Sequence, residues 1–291
     1  MTEPFRRFFT ARCSDVDEFL ELCGPFLEAR EAQHNLIFGI CSTLRQDPNA
    51  YGVPPYLATV DLLPDRRVVA AAIRTPPFPL VLSEVDELDA VRGLASAVHE
   101  DDPDLPGVMG PVEVVEAFAE AWTGLTGRRA IESIRQGIFR CDRVEVPRGV
   151  PGRARRAVDA DRDLLVRWID EFAREALGDR PRQDPEDEVA RRLRGGDDAL
   201  WLWEDGEPVS VAGHMGPTPH GIRIGPVYTP PDLRGRGYAG ALVGEVTRRL
   251  LDDERFRFCF LFTDLSNPTA NRLYERLGYR RVGATATYQF D

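Results

Sequence analysis

The residues best suited to chemistry lie in Val227-Tyr228-Thr229-Pro230-Pro231-Asp232-Leu233-Arg234-Gly235-Arg236-Gly237-Tyr238-Ala239, which leads from a strand-like run (Ile222 to Thr229) through a Pro/Gly loop into an amphipathic helix. Glycines let a backbone approach a ligand and turn its N–H groups inward, while the first turn of a helix offers unpaired donors and a partial positive charge. The stretch predicts an anion cradle for a phosphate-bearing ligand. A second stretch, Leu261 to Tyr279, places Asn267-Pro268 at a predicted helix start and Tyr274 within that helix. Asn before Pro suits an N-cap with proline at the first helical position. By spacing alone Tyr274 packs beside Leu273 and Leu277 on that helix.

These stretches need a scaffold, and the pattern of apolar residues supplies one. From residue 154 it predicts strand (Ala154 to Val158), helix (Asp161 to Leu177), helix (Pro185 to Leu193) and two strands joined by the Asp205-Gly206 hairpin turn. A third strand (Ile222 to Thr229), helix (Tyr238 to Leu251), strand (Phe256 to Thr263), helix (Pro268 to Leu277) and final strands follow. Residues 8 to 141 repeat that order: strand, helix from Ser14 or Asp15, helix (Ala29 to Leu44), three strands, helix (Val85 to Val98), strand, helix (Val112 to Leu125), strand. Pro147-Arg148-Gly149-Val150-Pro151-Gly152 can continue neither helix nor strand, so the domain boundary is expected at 147–152, between domains 1–146 and 153–291. The fold class is α/β (α+β): two tandem domains, each a mixed, mostly antiparallel sheet flanked by helices. In the first copy the turn matching the cradle is Leu82 to Asp89; it has no glycine and four carboxylates, so it should repel phosphate.

Composition narrows the function classes. At 291 residues two domains are favoured, and the 43% hydrophobic content suffices for ordinary cores. A net charge of −11 disfavours a general nucleic-acid binder and favours cationic small molecules. No apolar run approaches the ~20 residues that cross a bilayer, and the start, Met1 to Phe9, lacks the apolar core of a signal peptide, so a soluble, cytoplasmic protein is expected. The five cysteines form no CxxC pair, which argues against disulfides and against a zinc site; no metal is expected.

The turn Arg234-Gly235-Arg236-Gly237-Tyr238-Ala239, of the form R-x-x-G-x-A, and the helix Asn267-Pro268-Thr269-Ala270-Asn271-Arg272-Leu273-Tyr274, ending in Leu277-Gly278-Tyr279, stand one helix and one strand apart. Together they resemble the GNAT superfamily of N-acetyltransferases, with the resemblance covering roughly residues 153 to 290. The first half resembles the family only in element order, which gives a tandem GNAT architecture with a degenerate N-terminal copy. The resemblance implies acetyl-CoA as co-substrate, with its pyrophosphate over the amides of Arg234, Gly235, Arg236, Gly237, Tyr238 and Ala239. It implies that the pantetheine arm lies beside Val227, Tyr228 and Thr229, where two central strands splay apart, and that Asn267 lies near the arm. Pro226, which has no N–H, fits such an opening or merely kinks the strand. A backbone N–H of Val227 or Tyr228 then serves the developing oxyanion, and Tyr274 is the general acid at the leaving thiolate.

The acceptor must shed a proton before attack, and an alkylammonium near pKa ~10.4 lies about three units from neutrality at pH 7. Many relatives carry a glutamate in the strand before the loop, but Gly221-Ile222-Arg223-Ile224-Gly225 has no carboxylate. His214 is the first substitute, Asp264 a second, and a water relay a third; a strand histidine is more often structural, and Asp264 suits local backbone binding. Trp168, Trp201 and Trp203 either line an acceptor pocket or pack in the core. Glu171, Glu175 and Asp179 either draw in a cationic amine or form a solvated helix face. The expected reaction is acetyl transfer to a primary amine of a small molecule or peptide, by direct attack in a ternary complex, in a monomer or homodimer without nucleic acid or membrane. The rival is a non-catalytic acyl-CoA sensor or assembly module, suggested by the missing carboxylate. A Rossmann-type nucleotide binder fails on element order.

Overall fold

The computed structural model describes residues 7–178 and 184–291. The first ten elements are β1 (Phe8–Arg12), α1 (Val16–Glu28), α2 (Asn35–Gln46), β2 (Tyr56–Leu62), β3 (Arg67–Arg74), β4 (Leu80–Leu82), α3 (Asp89–Asp101), β5 (Gly107–Pro111), α4 (Val112–Thr126) and β6 (Ala130–Cys141). The next ten repeat the order: β7 (Arg153–Arg156), α5 (Arg162–Leu177), α6 (Pro185–Leu193), β8 (Ala199–Asp205), β9 (Glu207–Met215), β10 (Gly221–Tyr228), α7 (Tyr238–Leu251), β11 (Phe258–Asp264), α8 (Pro268–Arg276) and β12 (Arg280–Phe290). Among the described residues no helix is long and apolar enough to cross a membrane.

By contacts the chain forms two units, Met1–Ile138 with Val282–Asp291, and Phe139–Arg281. In the first unit the strands run β1-β2-β3-β4-β5-β12-β6. The strands are mostly antiparallel, with β4 parallel to β5. Alternation divides each strand between two faces. Leu57, Ala71 and Ile73 meet α1 and α2 on one face, while Ala58, Ala70 and Ala72 meet α3 and α4 on the other. The ladder of β12 to β5 runs from Thr285 opposite Pro111 to Gln289 opposite Gly107. Element order alone puts that strand with the second half, because order carries no information about which edge a strand joins.

Two helices of the first unit start later than their apolar spacing predicts. Asp15 caps α1, accepting from the amides of Asp17 and Glu18. After α1 the chain turns from Ala29 to His34 before α2 begins, because the His34 ring is held between two backbone groups: Nδ1 donates to the Leu27 carbonyl (2.8 Å) and Nε2 accepts from the Glu84 amide (3.0 Å). Likewise α3 starts at Asp89 rather than Val85. The Ser83 hydroxyl accepts from the Ala71 amide and donates to the Glu84 carbonyl, keeping that segment against the sheet. Three of the four carboxylates of this turn are engaged by arginines: Asp86 with Arg67 at 3.1 Å, Glu87 with Arg7 at 2.7 Å and Asp89 with Arg92 at 2.7 Å.

The second unit has the same layering. β7, β8, β9 and β10 are successive antiparallel neighbours, and β10 runs parallel to β11. Leu200, Leu202, Val211 and Tyr228 pack with α5 and α6; Trp201, Ala212, Ile222, Ile224 and Leu261 pack with α7 and α8. Each helix pair thus buries its own face of the sheet, leaving the ends of β10 and β11 to carry the site.

Candidate active site

The site is built on a strand that leaves its neighbour. β10 pairs with β11 only from Gly221 to Arg223, opposite Phe258 to Phe260, although it continues to Tyr228 along β9. Between Ile224, opposite His214, and Val227, opposite Ala212, the β9 register shifts, so Gly225 and Pro226 stand against Gly213 alone. This two-against-one bulge bends a strand and interrupts its ladder, and it accommodates the Pro226 nitrogen. Successive residues of an antiparallel strand direct their amides to opposite sides. Of Val227 and Tyr228, therefore, one amide faces β9 and the other faces the side where β11 has departed. Ser210 fixes the end of β10, donating to the Tyr228 carbonyl at 3.0 Å and lying 2.8 Å from the Thr229 hydroxyl.

From that end the chain runs directly into the loop before α7. Gly235 (φ 78°) and Gly237 (φ 86°) both adopt the left-handed conformation that favours glycine, and a Cβ on Gly235 would project into open space. Gly237 is the N-cap of α7 and provides no side chain to cap it. The first helical bond to reach it is from the Ala241 amide to its carbonyl, leaving the amides of Tyr238, Ala239 and Gly240 without helical acceptors. Arg234 is already engaged: Nε donates to the Thr229 carbonyl (2.8 Å) and Nη2 donates to both Glu175 oxygens (2.9 and 2.8 Å). Arg236 donates to the Asp232 carbonyl at 3.3 Å. The Tyr238 hydroxyl donates to Asp205 at 2.7 Å, and that bond holds its pKa above the usual phenol value.

Tyr274, on α8, is buried in the same cluster as Ile224, Ala212, Tyr238 and Leu261, edge-on to Tyr279. Burial alone pushes its pKa up to about 12, and its hydroxyl has no hydrogen-bond partner among the described residues. Asn267 caps α8, accepting from the Ala270 amide at 3.1 Å. Asp264 closes its own turn, accepting from the Ser266 amide and hydroxyl, both at 2.7 Å.

Across β10, the Tyr228 hydroxyl donates to Glu171 of α5 at 2.9 Å. Burial and the Glu171 carboxylate together push the Tyr228 pKa up to about 12. The structure thus brings Glu171 and Glu175 to the end of β10 and to the loop; Asp179 lies outside the described residues. The three tryptophans separate. Trp168 packs on the α5 face beside Tyr228, ring centroids 6.4 Å apart, whereas Trp201 and Trp203 lie on the α7 face. His214 is also buried: its Nδ1 accepts from the Trp201 indole at 3.2 Å, and burial first, then Arg156, lowers its pKa to about 4. Arg192 and the Ser210–Thr229 pair are functional candidates that only the structure reveals; a glycine inside a strand, as at Gly213, is the one local feature in the sequence consistent with a close approach there.

The arrangement suits acetyl-CoA on this chain's own geometry. A diphosphate needs several convergent N–H groups, which the uncapped start of α7 has, and an extended pantetheine arm needs an unpaired strand edge, which β10 has beyond Arg223.

The acetyltransferase (GNAT) family model matches residues 164–279. No curated protein is detectably similar in sequence. Among solved structures, a Drosophila protein is 14% identical with a TM-score of 0.64, covering 96% of this chain and 98% of its own. A GCN5-related N-acetyltransferase from Sphaerobacter thermophilus is 19% identical with a TM-score of 0.58, covering 99% and 96%. A tandem GNAT protein from the clavulanic acid biosynthesis pathway is 13% identical with a TM-score of 0.53, covering 97% of each chain. At such identities these likenesses concern the fold, which they share over nearly the whole length. Residues 164–279, in the site-bearing half, thus match the GNAT acetyltransferase family model, and the chain shares its fold with GNAT structures, a tandem one among them, over nearly its whole length.

Proposed function

We propose that the second unit transfers an acetyl group from acetyl-CoA to a primary amine of a small molecule or peptide, by direct attack while both substrates are bound. The observation that carries this reading is the end of β10: it leaves β11 after Arg223 and runs without interruption into the uncapped start of α7. The family match over residues 164–279 supports an acetyl-transfer role; amine as acceptor and acetyl-CoA as donor are this proposal's own.

Acetyl-CoA supplies the activated thioester. The amides at the start of α7 bind its diphosphate, and Asn267, while capping α8, borders the arm. The amide of Val227 or Tyr228 on the open side stabilises negative charge developing on the carbonyl oxygen. Tyr274 donates a hydrogen bond to the departing sulfur. With the phenol near pKa 12 and an ordinary thiol near ~8.5, full proton transfer is uphill by roughly 5 kcal/mol, so the bond matters more than the transfer. Glu171, held by Tyr228 and partly exposed, attracts a cationic amine and takes its proton directly or through one water. His214, closed off by Trp201, supports the sheet. In the first unit the matching turn, Leu82 to Asp89, has no glycine and carries four carboxylates, which supports a single CoA site per chain. The test is calorimetric titration with CoA followed by thiol release with a panel of amines. One CoA per chain and amine-dependent release are expected; binding without release from any amine would sink the catalytic reading.

A further inference from the structure

An arginine that no step above uses lies beneath the bulge. Arg192 of α6 is 2% exposed, yet its guanidinium reaches the sheet, where Nη1 donates to the Gly225 carbonyl at 3.0 Å and Nη2 meets the Met215 sulfur. Its ion-pair partner is Glu188, one turn back on α6, at 2.9 Å. The Nε–H has no partner among the described residues. Desolvating a guanidinium costs several kcal/mol, and an apolar residue of similar size is often as stable at such a position. Packing therefore does not account for a buried arginine with an orphaned donor.

Gly213 supplies the second observation. A Cβ there would lie 2.5 Å from Arg192 Nη1 and 2.8 Å from the Gly225 oxygen. The space a side chain would fill on β9 is occupied by this one hydrogen bond. Gly213 is also the residue that stands alone against Gly225 and Pro226 in the bulge. The glycine on β9, the arginine on α6 and the displaced carbonyl on β10 thus form one device, located where β10 leaves β11.

We infer that Arg192 is a positioning residue for acyl transfer: by holding the Gly225 carbonyl across the gap left by Gly213, it sets the bulge and so aims the amides of Val227 and Tyr228 at the bound thioester. The inference rests on the reading of the second unit as a CoA-dependent acetyltransferase. It predicts a division within one ligand. The nucleotide half of CoA is gripped at α7, away from the bulge, whereas the pantetheine arm depends on the opening.

The experiment compares CoA with 3′-phospho-ADP, its nucleotide half, by calorimetry, and measures kcat and KM with an accepted amine, in Arg192→Met and Gly213→Ala. The second variant keeps the guanidinium while crowding the hydrogen bond, and it serves where the first does not fold. In either variant, affinity for 3′-phospho-ADP should stay within about twofold while the advantage of CoA over it shrinks about tenfold, with kcat at least tenfold lower and the KM for the amine little changed. Equal losses for the two ligands, or unaltered kcat in both variants, would overturn the assignment. If the unsubstituted chain does not bind CoA, the acyl-transfer reading itself fails, and this inference with it.

Discussion

Tyr274 and Glu171 are expected to act on opposite ends of the reaction, and their substitutions should separate accordingly. Tyr274→Phe removes a hydroxyl without a partner among the described residues, so folding should be nearly unaffected and CoA affinity should change less than about twofold, while kcat falls roughly 10- to 100-fold. Because burial holds this phenol near pKa 12, it stays protonated through the neutral and mildly alkaline range; the pH–rate profile should show no alkaline decline below about pH 11 from this group. Glu171→Gln keeps an acceptor for the Tyr228 hydroxyl but loses the charge. It should lower kcat/KM about tenfold or more for cationic amines, and an unchanged value across the amine panel would remove Glu171 from the site. Residue types alone made the Asn267 cap and the local turn at Asp264 legible, because both depend on neighbours within a few positions. The bonds from Tyr228 to Glu171 and from Arg234 to Glu175 span more than fifty residues, and only the i, i+4 spacing of the two glutamates hinted that they share a helix face.

At the scale of elements, the loop before α7 can be tested separately from the chemistry. Gly237→Ala forces a side chain into a left-handed backbone with its Cβ 3.2 Å from Val150 Cγ2. The strain costs about 1–2 kcal/mol, and any shift of the first turn misaligns its amides. CoA should bind about tenfold more weakly by calorimetry while Tyr274 retains its environment; unaltered affinity would place the diphosphate elsewhere. Element order was legible nearly throughout, since alternation and helical spacing are strong over the strands and helices of both halves. What escaped was local competition by side chains: His34 and Ser83 take backbone partners and so delay the starts of α2 and α3. Gly225-Pro226 marked an irregularity in the strand without deciding between an opening and a kink, and its support from α6 was not legible, since nothing in the sequence around Arg192 marks which carbonyl it will meet.

For the molecule as a whole, buried histidines set the response to acid. His34 in the first unit and His214 in the second are both lowered from 6.5 to about 4, chiefly by burial. A histidine kept neutral by folding takes up a proton more readily when unfolded, so the stability it permits is complete above about pH 6.5 and declines as pH falls toward about 4, at ~1.4 kcal/mol per pH unit for each residue. Urea midpoints should fall between pH 6.5 and 5, before most carboxylates titrate. A flat midpoint over that window would contradict the burial of both rings. The fold class and the repeated ten-element order were visible in the sequence, whereas the destination of β12 was not: its alternating pattern fits any sheet with a free position. Removing residues 282–291 takes out the strand between β5 and β6, and the first unit should then lose its own cooperative melting step and tend to aggregate through the two exposed edges.

That placement of β12 also governs how the polypeptide can assemble during synthesis. The first unit emerges early, but one of its seven strands lies in Val282–Asp291, so its sheet cannot close until the intervening unit has been made. A nascent chain halted near residue 150 would present β5 and β6 with no partner between them. Such a molecule cannot be divided at a linker and expressed as two halves, and a stable first unit should require the ten distal residues, supplied in the same chain or added as a separate peptide.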